Sequence, residues 1–475
     1  MRSLVKIISV LLMFSMLISI VSCAKSGKDA ETTPQQTEDP VDKYDPFEHL
    51  PDTTFNDRTF RIAGSYGRNY TLKETAAKEI LSAAEYKRNL AISERFKVKF
   101  QAVDASVDVF VKNTLADYHY TEVGCAMVWV YGPALMGGAL RDIRPLEYIS
   151  FDADWWYPEI NESQTFFGKT LAISGDMDAG LIKSMAVVFF NMELIKDYGL
   201  TSDMIYDVVN DGGWSLDYIS EIIKPMYKDY DQDGLRSAGD FYGFVCAHNM
   251  SLDPWPVAGG SRVSYKNSDD ELEVVLASDR NQAILDKLKN IFTTNSGSFF
   301  FNDETGMPRG PIFFDQRLVF YPSFMEEAFN KMREVKFSYG MVPYPKYDDE
   351  QDSYYTLIQD GVIETYLPKT LPEADEDFVG IILEACAKYT REFVIPVYYD
   401  EALKNRYSED PATAKMVDLI NSVSRFDMSI IFGTDPGLYY AFGQALKEET
   451  PLVRKQAVVG KQMERKMKKI YPLYD

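Results

Sequence analysis

The chain has 475 residues, with 50 Lys and Arg against 72 Asp and Glu and a formal net charge of −22. Such a charge disfavours nucleic acids and anionic membranes as ligands and favours a soluble surface. A hydrophobic share of 46% and an aromatic share of 14% fit a well-cored globular protein, and the length suits two domains or lobes better than one core.

The chain opens on MRSLVKIISVLLMFSMLISIVSC. Arg2 and Lys6 supply a charged start, and residues 7 to 21 form a predominantly apolar run without acids, the pattern of a secretory signal. A single spanning helix is the rival reading, but this run of about 15 residues before Ser22 is short of the roughly 20 a bilayer requires. The run ends in Ile20-Val21-Ser22-Cys23, which resembles the lipobox of bacterial lipoproteins, with Cys23 as the acylated residue. Residues 1–22 therefore read as a lipoprotein signal peptide. Residues 23–54 are polar and rich in Pro, Thr and Gln, a flexible tether that cannot repay ordering entropy. Acyl chains such as palmitate contribute roughly 0.8 kcal/mol per buried methylene. The expected location is extracytoplasmic, anchored by lipid to a bacterial membrane.

RTFRIAGS (58 to 65) reads as a short strand, 74 to 95 as a helix with Ala77, Ile80, Leu81 and Ala84 on one face, and FKVKFQAV as a second strand. GCAMVWVYGP (124 to 133) reads as a third strand, almost wholly apolar. MAVVFFN is a further buried strand, followed by the helix MELIKDY, which Gly199 ends. Trp214 precedes Ser215, a helix N-cap, with Ile219 at the spacing of a hydrophobic staple. DRNQAILDKLKNIF places Ile284, Leu285, Leu288, Ile291 and Phe292 on one stripe, and PIFFDQRLVFY and FSYGMVPY read as strands. The stretches 377 to 389 and 412 to 423 carry apolar residues at helix spacing. Buried strands alternating with helices predict an α/β protein with mainly parallel sheets covered on both faces.

Cys125, Cys246 and Cys386 lie far apart in apolar settings, and His49, His119 and His248 are the chain's histidines. They read as three buried thiols, with too little material for a zinc site, a Cys/His nucleophile or a disulfide framework.

The order of these motifs resembles the extracellular solute-binding lipoproteins of ABC importers, in their large carbohydrate-type family. EYKRNLAISERFKVKF, MVWVYGP, RDIRPLEYISFDADWWYPEI, GKTLAISGDM, VVFFNMELIKDYGL, DGGWSLDYISEIIK, YGMVPYPKYDDEQDSYY and DPATAKMVDLINSVSRFD carry the likeness, colinear over nearly everything after residue 55. The resemblance implies a two-lobed periplasmic-binding-protein-like fold. Lobe one would be 55–178 plus 352–392 and lobe two 179–351 plus 393–475, joined by hinge strands crossing near Gly175 to Met185, Tyr354 to Leu367, and Thr390. It also implies a monomer that closes on a small-molecule solute, a carbohydrate, and hands it unaltered to an ABC permease, without an organic cofactor.

Sugars are read by aromatic rings stacked on their faces and by carboxylates, amides and Arg aimed at their rims. Ligands of open α/β sheets lie beyond the carboxyl ends of strands. Candidates by position are Ser65, Tyr66 and Arg68 after the first strand, and Trp129 and Tyr131 on one face at the end of the third. Asp176 lies beside the first crossing as a hydroxyl acceptor, Trp255 in the loop DPWPVAGG, Tyr321 after the strand FFDQRLVF, and Asp360 near the return crossing. For each, a place in the core or a turn is the plainer alternative.

DYDQDGLRSAGD (229 to 240) nearly matches a calcium loop. Asp229, Asp231 and Asp233 would supply carboxylates, Leu235 its carbonyl, and Asp240 would close the shell, one methylene shorter than the usual Glu. A strand-like FYGFVCAH follows and no second loop occurs, so the expectation is a structural calcium clip rather than a sensor. A secreted carbohydrate-active enzyme with such a clip is the competing class, and a surface glycan-binding lipoprotein outside transport is another. No GxSxG, Walker or HExxH motif supports catalysis, so the chain reads as a binder and not an enzyme.

Overall fold

The computed structural model describes residues 44–64, 69–71, 80–103, 105–166, 168–177, 180–247, 251–301, 309–399, 411–433 and 437–474. Pro46–Asp475 form one unit; Cys23, Ser65, Tyr66 and Arg68 lie outside the described residues.

Two mixed sheets organise this unit. In the first, the strands run in the order Val98–Val103, Arg58–Ala63, Val123–Met127, Ile363–Pro368, Leu140–Arg141, with Ile173–Ser174 also on Ile363–Pro368. The first three are parallel, with Phe60 beside Phe100 and Ile62 beside Val123. Ile363–Pro368 runs antiparallel to all its neighbours. In the second sheet the order is Ser298–Phe301, Phe241–Ala247, Leu318–Phe324, Ala186–Asn191, Tyr339–Val342. Ala186–Asn191 is antiparallel to both of its neighbours there. The sheets are thus mixed rather than mainly parallel: in each, a strand that enters directly from the other sheet arrives against the local direction.

Sequence patterning explains the layers. Every residue of Ala186–Asn191, Phe241–Ala247 and Leu318–Phe324 is buried, as unbroken apolar strands covered on both faces must be. Behind the first sheet, Phe378, Ile381, Ile382 and Ala385 of the helix Glu376–Tyr389 pack on Phe60, Ile62 and Cys125. In that helix the buried Glu384 accepts the indole N–H groups of Trp155 and Trp156, so two ring donors and one carboxylate are satisfied together. Cys125, Cys246 and Cys386 are buried, and burial pushes the Cys386 thiol up to about 12.

Two expected strands are in fact strand-and-helix pairs. GCAMVWVYGP leaves the sheet after Met127 and continues as the helix Val128–Met136. A wholly apolar run has no period to separate buried strand from buried helix. The helix packs close because a Cβ at Gly132 would meet the Ile431 carbonyl at 2.4 Å. PIFFDQRLVFY splits likewise into the helix Arg309–Phe314 and the strand Leu318–Phe324, with Gln316 at φ 57° turning the chain between them. Ser215 does cap Leu216–Ile223, accepting from Tyr218 N, and Trp214 is buried beside it.

The chain passes between the sheets three times, and the passages bind one another. Met185, on the first, bridges Ile358 on the second, and Gln359 N donates to Ser184 O. The third runs from Glu376–Tyr389 through a π-helical turn, Thr390–Val394, into Ile395–Tyr399. Arg88, fully buried, donates to Met177 O on the first passage and Thr390 Oγ1 on the third.

Candidate functional site

Strand register fixes which ends of the two sheets the passages join. Ser174 and Ala126 both pair with Glu364, so the chain leaves the first sheet where Val123–Met127 ends. Ala186 pairs with Phe324, so it enters the second where Leu318–Phe324 ends. The carboxyl ends of the parallel strands in both sheets therefore open toward the passages, the place where an open α/β sheet holds a ligand.

At this level Val128 N donates to Val362 O, which sets the first turn of the helix Val128–Met136 beside the second passage. Trp129, in that turn, keeps 39% of its surface exposed. Asp360, two residues before Val362, is half-buried and accepts the Tyr440 hydroxyl at 2.5 Å. Burial pushes the Asp360 carboxyl up, against the opposing pull of the Tyr440 hydrogen bond. Tyr439 and Tyr440 tilt against each other at 5.0 Å. Burial, with the fields of Asp360 and Asp253, pushes both hydroxyls up. Asp253 is 5% exposed, beyond the carboxyl end of Phe241–Ala247. It reaches the helix Ala441–Lys447, where a Cβ at Gly443 would lie 3.4 Å from its Oδ1. A half-exposed phenol ring beside a partly desolvated carboxylate can stack on an apolar face and accept a hydroxyl, and the exposed indole of Trp129 offers a second ring on the neighbouring helix turn.

Other candidates stand elsewhere. Tyr131 is fully buried, its ring 5.7 Å from Tyr366; two residues apart on a helix, it and Trp129 face different ways. Asp176 is fully buried, its Oδ1 accepting from Tyr157 and its Oδ2 2.5 Å from Arg391 Nε, so it fastens the passages rather than facing a cleft. Trp255 is fully buried, edge-on to Tyr344 at 5.1 Å; its loop folds into the short helix Trp255–Ala258, which turns the ring inward. Tyr321 lies inside its strand, opposite Phe189 and stacked 5.0 Å from Phe313; the strand runs on to Phe324. Sequence reasoning missed Asp253, Tyr439 and Tyr440. DPW and GLYY did carry a signal, an acid and paired aromatics in Gly/Pro-punctuated loops.

Comparison with known proteins bears on the architecture. No protein-family model matches the sequence, and no curated protein matches it. Among solved structures, UgpB from Mycobacterium tuberculosis in complex with glycerophosphocholine is similar at a TM-score of 0.55 and 14% identity, over 86% of this chain and 98% of that one. An ABC substrate-binding protein from Listeria monocytogenes in complex with cycloalternan gives 0.54 and 13%, over 87% and 100%. A cyclic alpha-maltosyl-1,6-maltose binding protein from Arthrobacter globiformis gives 0.55 and 10%, over 88% and 99%. The fold is that of the two-lobed solute-binding proteins. In the terms of that solute-binding fold, the sheets are the two lobes, and Trp129, Asp360 and Tyr440 stand where the lobes meet the passages.

The acidic loop lies at the edge of the second lobe. Carboxylate oxygens of Asp229, Asp231 and Asp233 come within 4.8 Å of one another. Asp229 Oδ2 accepts from Gly234 N, and its buried Oδ1 has no hydrogen-bond partner among the described residues. Asp240 does not close this shell: it is buried, and its oxygens accept from Tyr230 N, Ser237 N and the Tyr242 hydroxyl. Its short side chain ties the loop to the strand instead.

Proposed function

We propose that this protein is the extracytoplasmic solute-binding component of an ABC importer, which traps a neutral carbohydrate between its lobes and releases it, unaltered, to a membrane permease. The observation that carries the reading is the Asp360–Tyr440 contact beside the second of three passages that join two lobes, with the exposed Trp129 in the helix turn that the same passage holds. Similar solved structures are of binding proteins, in complex with glycerophosphocholine and cycloalternan in two instances. Cys23 anchors the mature chain by lipid, and the tether holds the lobes clear of the membrane; it ends before Pro46 rather than at residue 54, since Phe47 and Leu50 are buried in the core. Solute binds the closed form better and shifts that population. Calcium fits the acidic loop in part: Asp229, Asp231 and Asp233 supply three carboxylates and Leu235 a carbonyl, without a closing acid. Affinity of about 10⁻⁴–10⁻³ M, as in extracellular modules, follows.

The test is a thermal-shift and calorimetric screen of mono- and oligosaccharides on the mature protein. At least one is expected to raise the melting temperature, and Trp129→Ala or Asp360→Asn to abolish that rise. A peptide or polyamine that stabilises where no sugar does overturns the substrate class. Release of reducing ends from a glycan overturns the binder. Cys23→Ser is expected to move the protein from the membrane to the soluble fraction.

A further inference from the structure

A cavity of 370 Å³ lies between the lobes on residues that share nothing with Trp129, Asp360 or Tyr440. Its first-lobe wall is Ile160 and Ser163, its second-lobe wall the loop from Gly260 to Arg262, and its third wall Tyr355, Ser424 and Arg425. Tyr355 leads into the second passage, where Thr356–Leu357 pair in parallel with Ser424–Arg425. Among the described residues no acid lines the cavity, although the chain carries 72 Asp and Glu. Arg425 lies over the Tyr355 ring at 5.3 Å and donates to Ser424 O. Arg262 lies 5.7 Å over Tyr265 and forms no ion pair among the described residues.

We infer that this cavity is a second ligand site, for a small oxyanion such as a phosphate, a phosphomonoester or a polycarboxylate. Guanidinium forks match the geometry of phosphate and carboxylate oxygens, and an aromatic face beneath one fork holds its plane. The Ser424 hydroxyl adds a neutral donor, while that of Ser163 already donates to Ile160 O. Three hundred or more cubic ångströms is the scale of a small-molecule site, large enough for a sugar phosphate as well as the bare ion. The occupant touches both lobes and the second passage. Its binding and that of the cleft solute are therefore linked wherever lobe closure moves these walls.

Calorimetric titration of the mature protein at low ionic strength with inorganic phosphate, glucose 6-phosphate and citrate tests this and separates the three sources. At least one is expected to bind, and Arg262→Gln and Arg425→Gln each to weaken it by about tenfold or more, the loss of one good charged contact. Lys99→Gln, an exposed cation far from the cavity, is expected to change nothing. Should Arg425→Gln lower the melting temperature, Arg425→Lys, which keeps the charge and loses the fork, carries the same expectation. Absence of binding by all three anions overturns the site, as does binding that survives either arginine substitution. A failed carbohydrate screen leaves this result standing, because the two sites share no residue.

Discussion

Asp176 and Arg391 form an ion pair of 2.5 Å that fastens the first passage between the lobes to the third. The carboxylate is fully buried and also accepts from Tyr157, while Arg391 Nη2 donates to Asp154 O. Arg88 makes a second tie between the same passages. The hinge is therefore built of charge-assisted bonds between segments distant in sequence, and not only of strands.

Removing one member leaves the other charge stranded. Arg391→Ala is expected to cost about 3 kcal/mol or more in urea unfolding, because it leaves the fully buried Asp176 carboxylate without its partner, and a buried charge so stranded is far worse than no pair at all. The double variant Asp176→Leu with Arg391→Met is expected to recover much of that loss. Equal losses in single and double variants refute the account.

Glu364 gives a pH dependence of definite sign. It is fully buried on the strand that enters the first lobe, with Oε1 accepting from Ser174 and Gln164. Its Oε2 has no hydrogen-bond partner among the described residues. Burial raises its carboxyl from the ordinary 4.5 to about 8. Between those values the folded chain keeps a proton that the unfolded chain releases. Stability from this group is thus greatest below pH 4.5 and is lost as pH rises toward 8, by up to about 1.4 kcal/mol per unit. Glu364→Gln is expected to flatten the fall relative to the unmodified protein, read as urea midpoints at pH 5.5, 6.5 and 7.5. Parallel curves for the two proteins rule it out.

The cleft makes a different demand. Tyr440→Phe removes the hydroxyl that holds Asp360 without emptying any space. It is expected to weaken solute binding about tenfold, because Asp360 is no longer held in place, and also to lower the melting temperature, since a hydrogen bond to a charged group contributes roughly 1.5–3 kcal/mol to the fold. Calorimetry with the stabilising sugar decides it, and a variant that binds as well as the parent removes Asp360 from the site.

What could be read in the sequence followed its periodicity. The strands Ala186–Asn191 and Phe241–Ala247 and the helices Asp279–Thr294 and Glu376–Tyr389 announce themselves by unbroken apolar runs or a 3.6-residue stripe. Val128–Met136 did not, because an all-apolar run has the same pattern in either conformation. In the site, a residue's place in the chain predicted proximity better than orientation. Asp176 is at the passage as expected, but its partner Arg391 turns it inward. Trp255 sits in a Pro/Gly loop as expected, but the loop coils and buries it. Tyr440 meets Asp360 across 80 residues, a pairing no local pattern encodes.

The acidic loop tests metal binding through stability alone. Desolvation first, and the fields of Asp233 and Asp240, raise the Asp231 carboxyl against the opposing pull of the Asp233 backbone hydrogen bond, and a divalent cation offsets those like charges. Millimolar calcium is therefore expected to raise the melting temperature of the mature protein, and a chelator to reverse the rise. Asp231→Asn removes one of the three converging carboxylates and is expected to abolish the response while leaving metal-free melting nearly unchanged, because that side chain is exposed. Asp240→Asn separates clip from scaffold. With its oxygens committed to Tyr230, Ser237 and Tyr242, it is expected to lower melting with or without calcium. If instead Asp240→Asn abolishes the calcium response and leaves metal-free melting intact, Asp240 is a ligand and the geometry described for the loop is wrong.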